Sequence, residues 1–195
     1  MTNFKFCYNK QNINLDIILP GVNIGIESSL TQKILDLSYK NGYSSLMINY
    51  LFYENGKKNI SKETFSEEID NITEIMNLVK YQEYQNIRFI GKSLGAIIAG
   101  IFLSKLNENE IQKYSITILG YDTGYINLTN FIGKIHIIQG EFDRYGNIDV
   151  VKKDLENAKS KNILYDQIKG ADHSFKNPNT GEPEFENEAI NKILY

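Results

Sequence analysis

Ile87-Arg88-Phe89-Ile90-Gly91-Lys92-Ser93-Leu94-Gly95 is the stretch whose reading decides the fold. Its first four residues have the apolar, β-branched character of a buried strand. The residues after it place Ala96, Ala99, Gly100 and Leu103 on a small-residue helix suited to close packing against a sheet. A serine thrown out on so sharp a strand-to-helix turn takes strained backbone angles, and side chains two residues to either side would collide with the adjoining strand and helix. Glycine at 91 and 95 removes those collisions, so the context is that of a nucleophile elbow with Ser93 at its tip. The same letters also fit a Gly-Ser-Gly turn with no chemistry, so residues elsewhere in the chain have to decide. A phosphate-binding loop is excluded: it needs glycine at position 86, which is Asn, and a flexible loop where this chain has a strand. Lys92 reads as an ordinary polar residue at the variable position of the turn.

Outward from the elbow, short apolar runs recur at Leu15 to Leu19, Ser45 to Asn49, Ile116 to Leu119, Ile135 to Ile138 and Ile163 to Ile168. Each is predicted to be a buried strand. Between them lie segments of helical period: Leu30, Ile34 and Leu37, then Ile69, Ile72, Met76 and Val79, then Val150 to Lys159, and last Glu184 to Leu194. Thr64 and Glu67 form a capping-box pattern ahead of the second. Phe4 to Tyr8 alternates and fits an antiparallel edge strand. Strands alternating with helices imply a mainly parallel sheet covered on both faces, a three-layer α/β/α sandwich. No repeat or linker divides the 195 residues, so one domain covering 1–195 is expected.

Two residues fall where a serine nucleophile needs them, in the order Ser, acid, His. Asp143 follows the strand Ile135 to Ile138, and His173 follows the last strand in Gly170-Ala171-Asp172-His173-Ser174-Phe175. Both are predicted at the carboxyl edge of the sheet, where binding groups collect. His136, the only other histidine, sits inside an apolar strand and reads as a hydrogen-bonded structural residue. Asp122 and Asp149 compete with Asp143 for the acid; Asp143 is favoured because the helix near Val150 carries Asp149 away as an N-terminal charge. Asp172 is expected to face elsewhere. Acyl transfer also needs amide donors for a developing oxyanion. The backbone of Leu94, at a helix N-terminus, is one. Val22, after Leu19-Pro20-Gly21, is the second, with Gly21 permitting the close approach; Pro20-Gly21 is equally a plain turn.

Composition narrows the alternatives. A formal charge of −3 without a basic, aromatic-interleaved stripe argues against nucleic acid. With no run of about 18 apolar residues and no leader pattern, a cytoplasmic chain without membrane association is expected. Cys7 is the only cysteine and reads as a buried strand residue; with two histidines it cannot form a zinc cluster, so no metal is expected. No coiled-coil pattern points to an oligomer, and a monomer or weak homodimer is expected.

Taken together, Leu-Pro-Gly at 19 to 21, Asn49-Tyr50, Gly-Lys-Ser-Leu-Gly at 91 to 95, Gly-Glu-Phe-Asp at 140 to 143 and Gly-Ala-Asp-His-Ser-Phe at 170 to 175 resemble the α/β-hydrolase superfamily. The resemblance runs from Leu15 to Ile193 and is nearest to small, lidless bacterial members of the dienelactone-hydrolase and esterase kind. It implies an acyl-enzyme on Ser93, proton transfer through His173 oriented by Asp143, a small-molecule acyl substrate, and no cofactor. Two departures stand out. Pro20-Gly21 replaces the frequent His-Gly of the oxyanion loop, and Gly120 to Lys134 is too short for a helical cap. An open site is therefore expected, with Tyr50, Tyr53, Tyr121, Tyr125, Phe142 and Tyr145 at strand ends available to line it; packing roles are the alternative for these rings. A peptidase or acyltransferase using the same residues, and a silent hydrolase-fold binding protein, remain the competing readings.

Overall fold

The apolar runs form one sheet. In the computed structural model, which describes residues 2–10, 13–22, 24–56 and 65–193, the strands are β1 (Phe4–Cys7), β2 (Asn14–Leu19), β3 (Ser44–Ile48), β4 (Asn86–Lys92), β5 (Tyr114–Leu119), β6 (Ile135–Gly140) and β7 (Ile163–Ile168). Their order across the sheet is β1-β3-β2-β4-β5-β6-β7. β1 pairs antiparallel with β3 at the edge, and every other pairing is parallel. β4, which ends at the elbow, is therefore central and bonded on both sides.

Among the described residues six helices cover the two faces: α1 (Ser29–Lys40), α2 (Leu51–Glu54), α3 (Phe65–Leu78), α4 (Leu94–Ser104), α5 (Ile148–Asp154) and α6 (Glu186–Asn191). Strand alternation sorts the side chains. Ile87 and Phe89 of β4 join Ile116, Ile118, Ile135 and Ile137 against α3, α4 and α5. Ile90 joins Ile18, Leu119, Ile138 and Ile168 against α1 and α6. The result is the three-layer sandwich. α1 buries one stripe, Leu30, Ile34 and Leu35, and is capped by Ser28, whose hydroxyl accepts the Thr31 amide at 3.3 Å. α4 is buried nearly all round because it fills the space beneath the centre of the sheet.

Several boundaries differ from the sequence reading. β4 runs on through Lys92. The helix expected over Val150 to Lys159 is Ile148–Asp154, started by Asn147, whose side-chain oxygen accepts the amides of Asp149 and Val150 at 3.2 Å each. The last helix spans Glu186–Asn191, and Leu194 lies outside the described residues. So does Thr64 of the capping box. α2 was not anticipated; its first amides, Leu51 and Phe52, are held at 2.8 Å by the two oxygens of Glu68 on α3. Burial raises the Glu68 pKa, and these two backbone bonds oppose that rise. Gly120 to Lys134 contains turns and no helix. Cys7 is half-buried on β1. Among the described residues no helix is long and apolar enough to cross a membrane.

Candidate active site

The elbow forms as its glycines require. Ser93 has φ 48° and ψ −111°, a region L-residues rarely occupy, and α4 begins at the next residue. A Cβ at position 91 would lie 2.5 Å from the amide nitrogen of Ala96, and one at 95 would lie 2.2 Å from the carbonyl oxygen of Leu19. The Ser93 amide donates to the Leu119 carbonyl at 3.1 Å, tying the turn to the end of β5. Strain of this kind costs on the order of 1–3 kcal/mol and persists only where surroundings enforce it.

His173 and Asp143 meet at the same edge. Nδ1 of His173 is 2.7 Å from Oδ2 of Asp143, whose side chain is fully buried. That length is typical of a charge-assisted bond, and it fixes the ring with Nδ1–H donated and the Nε2 lone pair turned inward. Tyr145 meets the imidazole edge-on, with centroids 4.7 Å apart. Asp172 accepts the amides of Ser174 and Lys176 at 2.7 and 2.8 Å, which shapes the turn carrying His173. Asp149 lies in the first turn of α5 and pairs with Lys152 at 3.5 Å.

Two further groups occupy the space between Ser93 and His173. The Ser93 hydroxyl donates to Oδ2 of Asp122 at 3.0 Å, not to His173. The other oxygen of Asp122 is buried without a hydrogen-bond partner, 3.4 Å from Nε2 of His173. Nε2 is instead met by Lys92, with Nζ at 3.2 Å. Lys92 is therefore not an ordinary surface residue: it is 6% exposed, with its ammonium over the Phe175 ring. The signal was available in strand parity, since Lys92 falls on the same face of β4 as the buried Ile90. Desolvation lowers its pKa to about 8, against the opposing pull of Asp143, Asp122 and Asp172. Burial raises the Asp122 pKa, with His173, the Ser93 bond and Lys92 acting the other way.

The loop proposed for the second oxyanion donor packs on the elbow. Gly21 is buried, and a Cβ there would touch the Lys92 side chain at 3.4 Å; Val22 follows, half-buried. The Leu94 amide opens α4. Two residues expected to line a pocket do not. Tyr50 is fully buried, stacked on Phe52, and its hydroxyl donates to the Pro20 carbonyl at 2.7 Å, so it supports the loop from below. Tyr121 is equally buried, bonded to Asp154 at 2.7 Å and to the Ile126 carbonyl at 3.1 Å. Both strand ends turn these rings into the core. Phe142 does face solvent, and with Arg144, Asp172, His173 and Ser174 it lines a hollow of about 130 Å³.

A larger apolar groove of about 490 Å³ is lined by Phe65 and Ile69 of α3, Ile97 and Ile101 of α4, and Tyr125. Ile97 and Ile101 follow at the i, i+4 spacing of one helix face of α4, the helix that Ser93 precedes. A concavity of similar size, about 500 Å³, lies at the opposite edge among Asn14, Arg88 and His136. Among the described residues no group of three His, Cys, Asp or Glu is placed to hold a metal ion.

No protein-family model and no curated protein sequence matches the chain. Solved structures do. The chain is similar to an α/β serine hydrolase homologue from Coxiella burnetii, with a TM-score of 0.71 and 14% identity over 98% of this chain and 91% of that one. A dienelactone hydrolase from Anabaena variabilis gives 0.70 and 13%, over 96% and 88%. An α/β serine hydrolase without a lid from Xanthomonas campestris gives 0.67 and 14%, over 87% and 79%. What the chain shares with them is the α/β-hydrolase fold, here in a minimal form with no cap between β5 and β6.

Proposed function

We propose that the protein is a serine hydrolase that cleaves a carboxylic ester or thioester through an acyl-enzyme on Ser93. The observation that carries this reading is the strained Ser93 held at a helix N-terminus beside the His173–Asp143 pair. In the reaction Ser93 Oγ attacks the carbonyl carbon as its proton passes to His173 Nε2, and Asp143 stabilises the imidazolium without taking the proton. The amides of Leu94 and Val22 hold the oxyanion, each such donor being worth about 3 kcal/mol in typical deletions. Collapse expels an alkoxide or thiolate, which takes the proton from His173. Water, deprotonated by the same nitrogen, then releases the acid and restores Ser93. The groove along Ile97 and Ile101 supports an apolar substituent on the substrate.

The Ser93–Asp122 bond favours a second reading, a silent hydrolase-fold protein whose serine is withheld from its base. The two separate on turnover of a panel of p-nitrophenyl esters and acyl thioesters of increasing chain length. The hydrolase reading expects wild-type turnover well above that of Ser93→Ala, with a burst of one leaving group per chain. Wild-type rates equal to those of Ser93→Ala across the panel would leave the binding protein.

A further inference from the structure

We propose that Lys92 and Asp122 are positioning residues that exchange partners with His173 and Ser93 to arm the site. In the structure the Ser93 hydroxyl donates to Asp122 and the Lys92 ammonium donates to His173. In the armed arrangement Ser93 donates to His173 Nε2 and Lys92 donates to Asp122. The inference rests on the reading of Ser93 as nucleophile and His173 as base.

The geometry allows the exchange with little movement. Nε2 of His173 has Nζ of Lys92 at 3.2 Å and Oδ1 of Asp122 at 3.4 Å, while Oδ2 of Asp122 already holds Ser93 Oγ at 3.0 Å. The four groups are two donors and two acceptors, so the number of hydrogen bonds is the same before and after. Ser93 needs a turn about one side-chain bond. Glycine at 120 leaves room for the Lys92 ammonium to move: a Cβ there would lie 2.8 Å from Nζ and 3.0 Å from Cε1 of His173.

Without Lys92 the exchange fails on the acceptor side. When Ser93 turns to His173, Asp122 gives up its one hydrogen bond, and its other oxygen has none. A buried carboxylate in that position holds the serine back unless a cation replaces it. The charged groups facing Lys92 are Asp122 after β5, Asp143 and Arg144 after β6, and Asp172 and His173 after β7. Burial outweighs the carboxylates among them and brings the Lys92 pKa down to about 8. Above that pH the ammonium loses the charge that draws it to Asp122, and the armed state loses its support.

The test is the second-order rate of fluorophosphonate labelling, followed by intact mass between pH 6 and 10. Wild type is expected to slow above about pH 8. Lys92→Met is expected to label at least about tenfold more slowly at pH 7 and to lose the alkaline fall. Lys92→Arg keeps its charge and should recover part of the rate, with the fall moved beyond pH 10. Asp122→Asn removes the carboxylate that requires the ammonium, so its labelling should lose the alkaline fall. If Lys92→Met does not fold, Asp122→Asn carries the test through that loss. The double variant should be no slower than the slower single, as expected for residues that act together. Lys92→Met labelling at the wild-type rate with an unchanged pH profile, a wild-type alkaline fall that persists in Asp122→Asn, or independent losses that multiply would each overturn the exchange. A wild type that folds and does not label would overturn both the exchange and the hydrolase reading; labelled wild type with an indifferent Lys92→Met overturns the exchange alone.

Discussion

Arg88, half-buried, and Lys92, buried, are cations on the same face of the same strand, with Ile90 between them, and they are treated in opposite ways. Arg88 grips Asp16 in fork geometry, Nε to Oδ1 at 2.9 Å and Nη2 to Oδ2 at 2.7 Å. The Ser38 hydroxyl adds to the same carboxylate, and Tyr43 lies 5.2 Å from the guanidinium. Beside this pair His136, Asp166 and Lys192 form a second chain at 2.9 and 3.2 Å. Four residues further along, Lys92 meets an imidazole, Asp122 keeps an oxygen without a partner, and Ser93 is strained. The amino end of the sheet satisfies its polar groups and holds one arrangement. The carboxyl end holds groups that can trade partners. A similarly large hollow lies at the amino end, so size alone would point to the wrong place.

The largest effect that sharpens this contrast is expected at the carboxyl end. His173→Ala should lower fluorophosphonate labelling per folded molecule at least about a thousandfold. A labelling rate within tenfold of wild type would break the contrast there. The reverse pattern is expected for Arg88→Met. It leaves Asp16 buried and unpaired, and stability should fall by about 3–5 kcal/mol. Labelling per folded molecule should be unchanged; a loss would show that the two ends are not independent.

How much of this is legible in the sequence follows the range of the interactions. The elbow was readable because its strand, glycines and helix are contiguous, and Asp143 and His173 because each follows a strand end and the chain order is restrictive. Lys92 reads as an ordinary polar residue, and Asp122 only as a rival for the acid, because nothing local says which side chains from β4, β5 and β7 converge; only strand parity hints at Lys92. Tyr50 and Tyr121 were misplaced for a related reason. A strand end turns toward solvent or core according to what packs above it, and here Phe52 and Asp154 draw the rings inward. α2 was missed because its N-terminus is held by Glu68 from another helix.

Smaller effects probe the border between the two ends. Tyr50→Phe removes the hydroxyl that holds Pro20 and should destabilise by about 0.5–1.5 kcal/mol. It should also slow labelling severalfold if the loop bearing Val22 serves the oxyanion; unchanged labelling at reduced stability would make the loop purely structural. At the amino end burial lowers the His136 pKa below its ordinary 6.5, with the Asp166 bond opposing. The unfolded chain then takes up that proton first, so His136 supports the fold above 6.5 and the support is lost as pH falls through and below that value. His136→Gln should flatten this part of the stability profile, measured by urea denaturation at pH 5 to 7.5. An unchanged slope would assign the dependence to another group.

The most direct test of the central claim, an activated Ser93, is the mass of the purified protein after treatment with a fluorophosphonate. The account expects one adduct per wild-type chain, mapped to the peptide containing Ser93 and absent from Ser93→Ala and His173→Ala. Folded wild type that stays unmodified, or an adduct that persists in Ser93→Ala, would contradict it.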